Sequence, residues 1–200
     1  MIRILIAEDQ GMLLGALSAL LDLEEDFTIV AKANNGQEAL ELTREHLPDV
    51  VLTDIEMPQM TGIELAQSIQ QEALKTQVII LTTFARSGYL RRSMDAGVKG
   101  YLLKDAPSDE LAHAIRRVMA GRKVIAPELI TEAWEQSDPL TDKERHALKL
   151  AFDGLKTEQI AEQMCLSPGT VRNYLSNAAS KLDANNRIEA ARIARQKGWL

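Results

Sequence analysis

Two hundred residues fit one large domain or two small ones, and a 46% apolar content with few aromatics marks a globular, helix-rich chain. No apolar run approaches the about 20 residues of a membrane helix and the start lacks a signal-peptide pattern, so a soluble, cytosolic protein without membrane insertion is expected. The formal net charge of -6 is uneven: residues 1–125 carry 18 acidic and 13 basic residues and residues 126–200 carry 11 and 10, which makes the second part the better place for a nucleic-acid surface.

Ile2-Arg3-Ile4-Leu5-Ile6-Ala7 is short and β-prone and predicts a buried strand ending in Glu8-Asp9. Helical spacing of Leu13, Leu14, Leu17, Leu20 and Leu21 follows, then a strand over 27–31, a turn at Asn34-Asn35-Gly36 and a helix over about 37–46. Val50-Val51-Leu52-Thr53 is a further buried strand, and it ends on Asp54 where the chain must turn. Taken alone, Asp54 reads as a carboxylate at the usual mouth of a site, with a cap for the helix over 63–73 as the other reading. Strands over 78–81 and 100–103 alternate with helices over 87–96 and from a Ser108 cap to Gly121. Five apolar strands alternating with five helices predict an α/β unit with a parallel sheet covered on both faces. Cys165 reads as a small residue in a helix-packing face, and His46, His113 and His146 have no zinc spacing.

Every polar strand end named is a C-terminal end, so Glu8, Asp9, Asp54, Thr82 and Lys104 converge on one edge of such a sheet. Three neighbouring carboxylates repel unless a cation sits among them, and Mg²⁺ with carboxylate and water ligands suits the set. These are the parts of a phosphoryl-transfer site. Asp54 is the acceptor nucleophile, Lys104 neutralises phosphoryl oxygens and Thr82 donates to one of them.

Ala7-Glu8-Asp9, Asp54-Ile55-Glu56-Met57-Pro58 with Gly62, Leu81-Thr82-Thr83 and Gly100-Tyr101-Leu102-Leu103-Lys104 resemble the receiver domain of bacterial two-component response regulators over residues 1–122. The resemblance implies a five-stranded, doubly wound parallel sheet of order 2-1-3-4-5 and phosphoryl transfer from a cognate sensor histidine kinase. It adds the Glu56 backbone carbonyl to the metal ligands and makes Tyr101 a switch aromatic that moves with Thr82. It puts Thr83 where a small residue usually limits access to the acyl phosphate, so the branched side chain is expected to slow water attack. An ordinary surface aromatic is the other reading of Tyr101. The implied protein is not an enzyme but a phosphoacceptor with at most self-phosphorylation and self-dephosphorylation chemistry.

Residues 123–137 read as a partly packed linker, with Ile130 and Trp134 sharing a helical face and Trp134 as a docking residue. Thr141 and Glu144 form a capping box for a helix to about Phe152, and Thr157 caps a second, short helix. Leu166-Ser167-Pro168-Gly169 connects to a third helix reaching about Leu182, and a fourth spans about 187–197. The third helix turns Val171, Leu175, Ala178 and Leu182 to a core and leaves a polar face fit for bases and phosphates. A protein-binding helical module is the competing reading.

Leu140-Thr141 with Glu144, Ile160-Ala161, Thr170-Val171-Arg172-Asn173-Tyr174, Lys181-Leu182 and Arg187-Ile188-Glu189-Ala190 resemble the LuxR-type four-helix DNA-binding domain of NarL/FixJ-class regulators over residues 138–200. The resemblance implies promoter DNA as partner, a homodimer on activation, and DNA contacts from Lys156, Thr170, Arg172, Asn173, Tyr174, Asn177 and Lys181. One departure stands out: Thr157-Glu158-Gln159 replaces the family's common Asn-Lys-Glu, putting an acid in place of a frequent basic contact. The Thr82-to-Tyr89 segment and the terminal Lys197-Gly198-Trp199-Leu200 look most similar to regulators of a membrane lipid desaturase. A phosphorylation-independent DNA-binding regulator and a signalling adaptor with a protein-binding C-terminal domain are the alternatives.

Overall fold

The computed structural model describes residues 1–83, 87–130 and 138–200. The docking role expected of Trp134 and the middle of the Thr82-to-Tyr89 segment lie outside the described residues. The chain divides into two compact units, one built on a parallel sheet and one on four helices. Among the described residues no helix is long and apolar enough to cross a membrane.

The first unit runs β1 (Ile2–Ala7), α1 (Gly11–Leu21), β2 (Phe27–Ala33), α2 (Gly36–His46), β3 (Val50–Asp54), α3 (Gly62–Gln71), β4 (Gln77–Thr82), α4 (Ser87–Asp95), β5 (Gly100–Leu103), α5 (Ser108–Met119) and β6 (Val124–Ile125). All strands are parallel, in the order β2-β1-β3-β4-β5-β6. The expected order 2-1-3-4-5 is present, but the sheet has six strands rather than five. The sixth lies in the segment read as linker: the Val124 N–H donates to Lys99 O and the Ala126 N–H to Tyr101 O, both at 2.9 Å. Two residues are too few to show an alternation pattern, yet they cover backbone that β5 would otherwise expose at the sheet edge.

The strands are apolar throughout because both faces are covered: Ile4, Ile6, Leu52 and Ile79 pack beneath Leu14, Leu17, Leu111 and Ile115 on one face, and the alternate residues Leu5, Val51 and Ile80 are fully buried on the other. Local chemistry sets the helix ends. Asn35 caps α2 through the Glu38 N–H, and Thr61 with Glu64 forms a complete capping box on α3. The N-cap of α5 is Pro107, one residue before the expected Ser108, since proline's fixed φ suits the entry to a helix. Tyr101, for which a surface position was one reading, is 0% exposed and belongs to the core.

The second unit comprises α6 (Asp142–Phe152), α7 (Thr157–Gln163), α8 (Pro168–Lys181) and α9 (Arg187–Gln196). Leu148, Ile160, Val171, Ala178, Ala190 and Trp199 form its core, so α8 buries the face its spacing assigns. Thr157 is the first residue of α7 rather than its cap; Lys156 occupies that position, with its N–H on the Gln159 side chain at 2.9 Å. Cys165 is exposed and sits at φ +54 past the end of α7, not in a packing face, because the tight turn into α8 claims the left-handed position.

Candidate functional site

Parallel pairing puts the C-terminal ends of β1, β3, β4 and β5 on one edge: Ala7 aligns with Thr53, Asp54 with Leu81, and Thr82 with Leu103. The last residue of β3 and β4, Asp54 and Thr82, and the residues just past β1 and β5, Glu8 and Lys104, stand at the mouth of the sheet. Glu8, Asp9 and Asp54 meet there, each offering a carboxylate oxygen within 4.8 Å of the others. Lys104 bridges two of them, its Nζ 2.7 Å from Glu8 Oε2 and 2.9 Å from Asp54 Oδ2. The other oxygen of Asp54, Oδ1, accepts the Ile55 N–H at 2.7 Å, and Glu8 Oε1 accepts the Gln10 N–H at 3.2 Å.

Burial governs the electrostatics. Glu8 is 1% and Asp54 9% exposed, whereas Asp9 lies in solvent. Burial pushes both buried carboxyls above the usual carboxylate range, and the contacts from Lys104 only partly oppose it. For Lys104 burial acts downward, yet its hydrogen bonds to Glu8 and Asp54 prevail and hold it above its ordinary value. One ammonium against three carboxylates leaves the cluster short of positive charge. The donors are all hard oxygens, which is the set that suits a small divalent cation such as Mg²⁺.

The loop after Asp54 is fixed by close backbone approach. A Cβ on Gly62 would lie 1.9 Å from the Asp54 carbonyl oxygen, and one on Gly36 would lie 2.2 Å from the Met60 carbonyl oxygen. The Thr53 hydroxyl donates to the same Asp54 carbonyl at 2.9 Å, and the Gly62 N–H closes the loop on Ile55 O at 2.9 Å. The Glu56 and Thr83 side chains are exposed beside this loop and past β4, while Thr82 and Tyr101 are buried on β4 and β5. Gly62 was legible in the sequence; Gly36 and Thr53 were not, since each acts on backbone distant in the chain or through a carbonyl.

In the second unit Ser167 caps α8 through the Thr170 N–H at 3.2 Å, and Pro168 occupies its first turn. Arg172, Asn173 and Asn177 are exposed on α8, Thr170 and Tyr174 are half-buried, and Lys156 is exposed before α7. Lys181 differs from the rest. Its Nζ lies 2.7 Å from Glu144 Oε2, which also accepts the Thr141 N–H at 2.8 Å, so the end of α8 is tied to the capping box of α6.

Residues 4–116 match the family described as response regulator receiver domain, and residues 138–194 match the bacterial regulatory proteins of the luxR family. The chain is 51% identical over 199 residues to the transcriptional regulatory protein DesR of Bacillus subtilis (strain 168), covering 100% of this chain and 99% of that protein. It is 50% identical over 200 residues to the uncharacterized transcriptional regulatory protein YvfU of the same organism, covering 100% of both. Among solved structures, that of two RcsB dimers bound to two parallel DNAs matches with a TM-score of 0.66 and 25% identity, covering 97% of this chain and 98% of that one.

Proposed function

The chain belongs to the response regulators that join a receiver domain to a LuxR-type DNA-binding domain, and from that membership we propose that Asp54 accepts a phosphoryl group and thereby controls DNA binding by α8. The protein is a phosphorylation-dependent transcriptional regulator, a phosphoacceptor rather than an enzyme that turns over a separate substrate. The donor is a phosphohistidine of a cognate sensor histidine kinase. A lone pair on Asp54 Oδ2 forms the new O–P bond as the N–P bond of the phosphohistidine breaks and returns its electrons to the imidazole. Oδ2 suits the role because Oδ1 is held by the Ile55 N–H and Lys104 stands ready to follow the incoming oxygens.

Glu8, Asp9, Asp54 and the Glu56 carbonyl would hold Mg²⁺, which when bound supplies charge neutralisation at the phosphoryl oxygens. Thr82 donates a hydrogen bond to the phosphoryl group and Tyr101 follows its movement. Thr83, exposed past β4, limits the approach of water. The outward side of α1 fits a homodimer surface: Met12, Gly15, Ala16, Ala19 and Leu20 are exposed and α1 has no charged residue. Two paired copies give the low-charge second unit the affinity one copy lacks, an arrangement that the DNA-bound RcsB dimers support. Arg172, Asn173 and Asn177 read base edges and Thr170, Tyr174 and Lys156 steady the register. A DNA target makes the cytoplasm the place of action. Genes of membrane lipid desaturation are the proposed targets, on the resemblance of the Thr82-to-Tyr89 segment and the terminal four residues.

The observation that carries the reading is the buried Asp54 carboxylate shared with Lys104 beside Glu8 and Asp9. Wild type and Asp54→Asn are incubated with acetyl phosphate and Mg²⁺. Only wild type is expected to gain a hydroxylamine-labile phosphoryl group and to bind its selected promoter duplex more tightly; equal responses from both proteins would refute the switch.

A further inference from the structure

The DNA-contacting charges of the second unit do not all stand where the family's pattern puts them. Glu158 replaces a common lysine at the start of α7, and the Lys181 ammonium is engaged by Glu144. Both changes subtract positive charge from a unit that is already close to neutral. A guanidinium from another helix fills the gap. Arg187, the first residue of α9, reaches the first residue of α7, its Nη1 donating to the Thr157 hydroxyl at 3.3 Å. That contact spans 30 residues of sequence.

Arg187 is exposed, and among the described residues no carboxylate pairs with it. The nearest acid on its own helix, Glu189, is already occupied by the N–H and side-chain amide of Asn185, at 2.8 and 2.9 Å. Lys156 precedes Thr157 directly and is exposed; its backbone N–H goes to the Gln159 side chain, and among the described residues no carboxylate pairs with its ammonium. The acid nearest to Lys156 in the chain is Glu158, which is exposed. One hydrogen bond to a hydroxyl leaves most of the five donors of the guanidinium unspent, in the fork geometry that suits a phosphate.

Position in the motif decides what the pair meets. The first helix of a helix-turn-helix crosses the nucleic-acid backbone while the second enters the major groove, so the start of α7 lies beside phosphates when α8 is docked. We propose that Arg187, steadied by Thr157, and Lys156 together clamp a backbone phosphate of double-stranded DNA, replacing the charge that Glu158 and the Glu144–Lys181 pair remove. This rests on the reading that α8 is the helix that reads DNA. The clamp adds affinity and register without sequence preference, whereas Asn173 and Asn177 carry the preference.

The test uses the full chain and two duplexes, one selected by the wild-type protein from random sequence and one unrelated. Binding constants are measured from about 50 to about 200 mM salt, over which one phosphate contact per protomer weakens binding about 3.5-fold by counterion release. The double variant Arg187→Gln with Lys156→Gln is expected to flatten the salt dependence by that factor per protomer, and Arg187→Gln or Lys156→Gln alone by part of it, each weakening both duplexes alike; Arg187→Lys restores the slope. An Asn173→Ala control shifts selectivity and keeps the slope. If Arg187 serves only to hold α7, Arg187→Gln lowers the thermal midpoint and leaves the slope unchanged, and the clamp is overturned. Absence of wild-type binding to every duplex refutes the DNA reading itself, a separate outcome.

Discussion

Substituting Lys181→Met isolates the contact that the polar face of α8 concealed. In the wild type the Glu144 side chain is 5% exposed, and its Oε2 accepts both the Lys181 ammonium and the Thr141 N–H. Methionine keeps most of the aliphatic stem and removes the charge, leaving a buried carboxylate with the capping-box bonds alone. Breaking a fully buried pair costs roughly 3–5 kcal/mol, but Lys181 is 37% exposed and the Thr141 bond survives, so about 2 kcal/mol is expected. Glu144→Gln, which keeps an acceptor for the Thr141 N–H and frees a half-exposed lysine, should cost only about 1 kcal/mol. The asymmetry follows from which partner is left behind without water.

The pH dependence supplies the decisive sign. Burial pushes the Glu144 carboxyl up, yet Lys181 and Thr141 together hold it below its ordinary value of 4.5. A group with a depressed folded pKa contributes stability that is complete above the unfolded value and drains away as pH falls through the folded one. Lys181→Met takes away the largest opposing contact, so the folded pKa rises and protonation relieves the buried charge. The deficit of the variant relative to wild type is therefore largest near neutrality and shrinks as pH falls through the raised folded pKa of the variant toward the depressed one of the wild type. Denaturant unfolding followed by Trp199 fluorescence in a Trp134→Phe background reads the second unit alone. A deficit that stays constant or grows on acidification would refute the argument.

Two further substitutions test the first unit. Gly62→Ala places a Cβ 1.9 Å from the Asp54 carbonyl oxygen, a backbone atom that no rotamer change can move aside, so a loss above about 3 kcal/mol and impaired labelling by acetyl phosphate are expected from thermal melts and phosphoprotein gels. Leu20→Glu lies on the outward side of α1, so it should alter monomer stability by no more than about 0.5 kcal/mol while abolishing phosphodonor-induced dimerisation in sedimentation velocity. Retained dimerisation would move the interface to another face of the receiver.

How much of this was legible depended on whether the signal was local. Strand ends, the capping box of α6 and the inward stripe of α8 are encoded within a few residues, and Thr141 with Glu144, and Val171 with Leu175 and Ala178, behave as their spacing dictates. The convergence of Glu8, Asp9, Asp54 and Lys104 was legible for a different reason: parallel topology turns the order of elements into a location, so polar residues at strand ends must meet. What stayed hidden required distances. Nothing in Val124-Ile125 announces that β5 has an open edge to fill. Glu144 and Lys181 are 37 residues apart, and a lysine on a polar helix face looks the same whether it meets a phosphate or a carboxylate. Cys165 looked like packing because a left-handed turn position leaves no mark on a cysteine.

The site geometry also constrains how a signal can leave it. In the unphosphorylated arrangement Lys104 satisfies Glu8 and Asp54 at once, at 2.7 and 2.9 Å, and so holds β5 to β1 and β3 through one ammonium. On the proposed reading, a phosphoryl group on Asp54 Oδ2 would bring oxygens that outbid the bridging anhydride oxygen for that ammonium, so Lys104 would move with them or release Glu8. The backbone of β5 follows, because the Lys104 N–H is itself bonded to Thr82 O at 2.8 Å. Thr82 and Tyr101 sit on the two strands this bond joins, both buried, so neither can change rotamer without repacking its neighbours. On the proposed reading, coupling between them needs no separate relay: the charge added at Asp54 and the packing of Thr82 and Tyr101 would act on the same pair of strands, and a two-state response would follow from a close-packed core that has no intermediate filling.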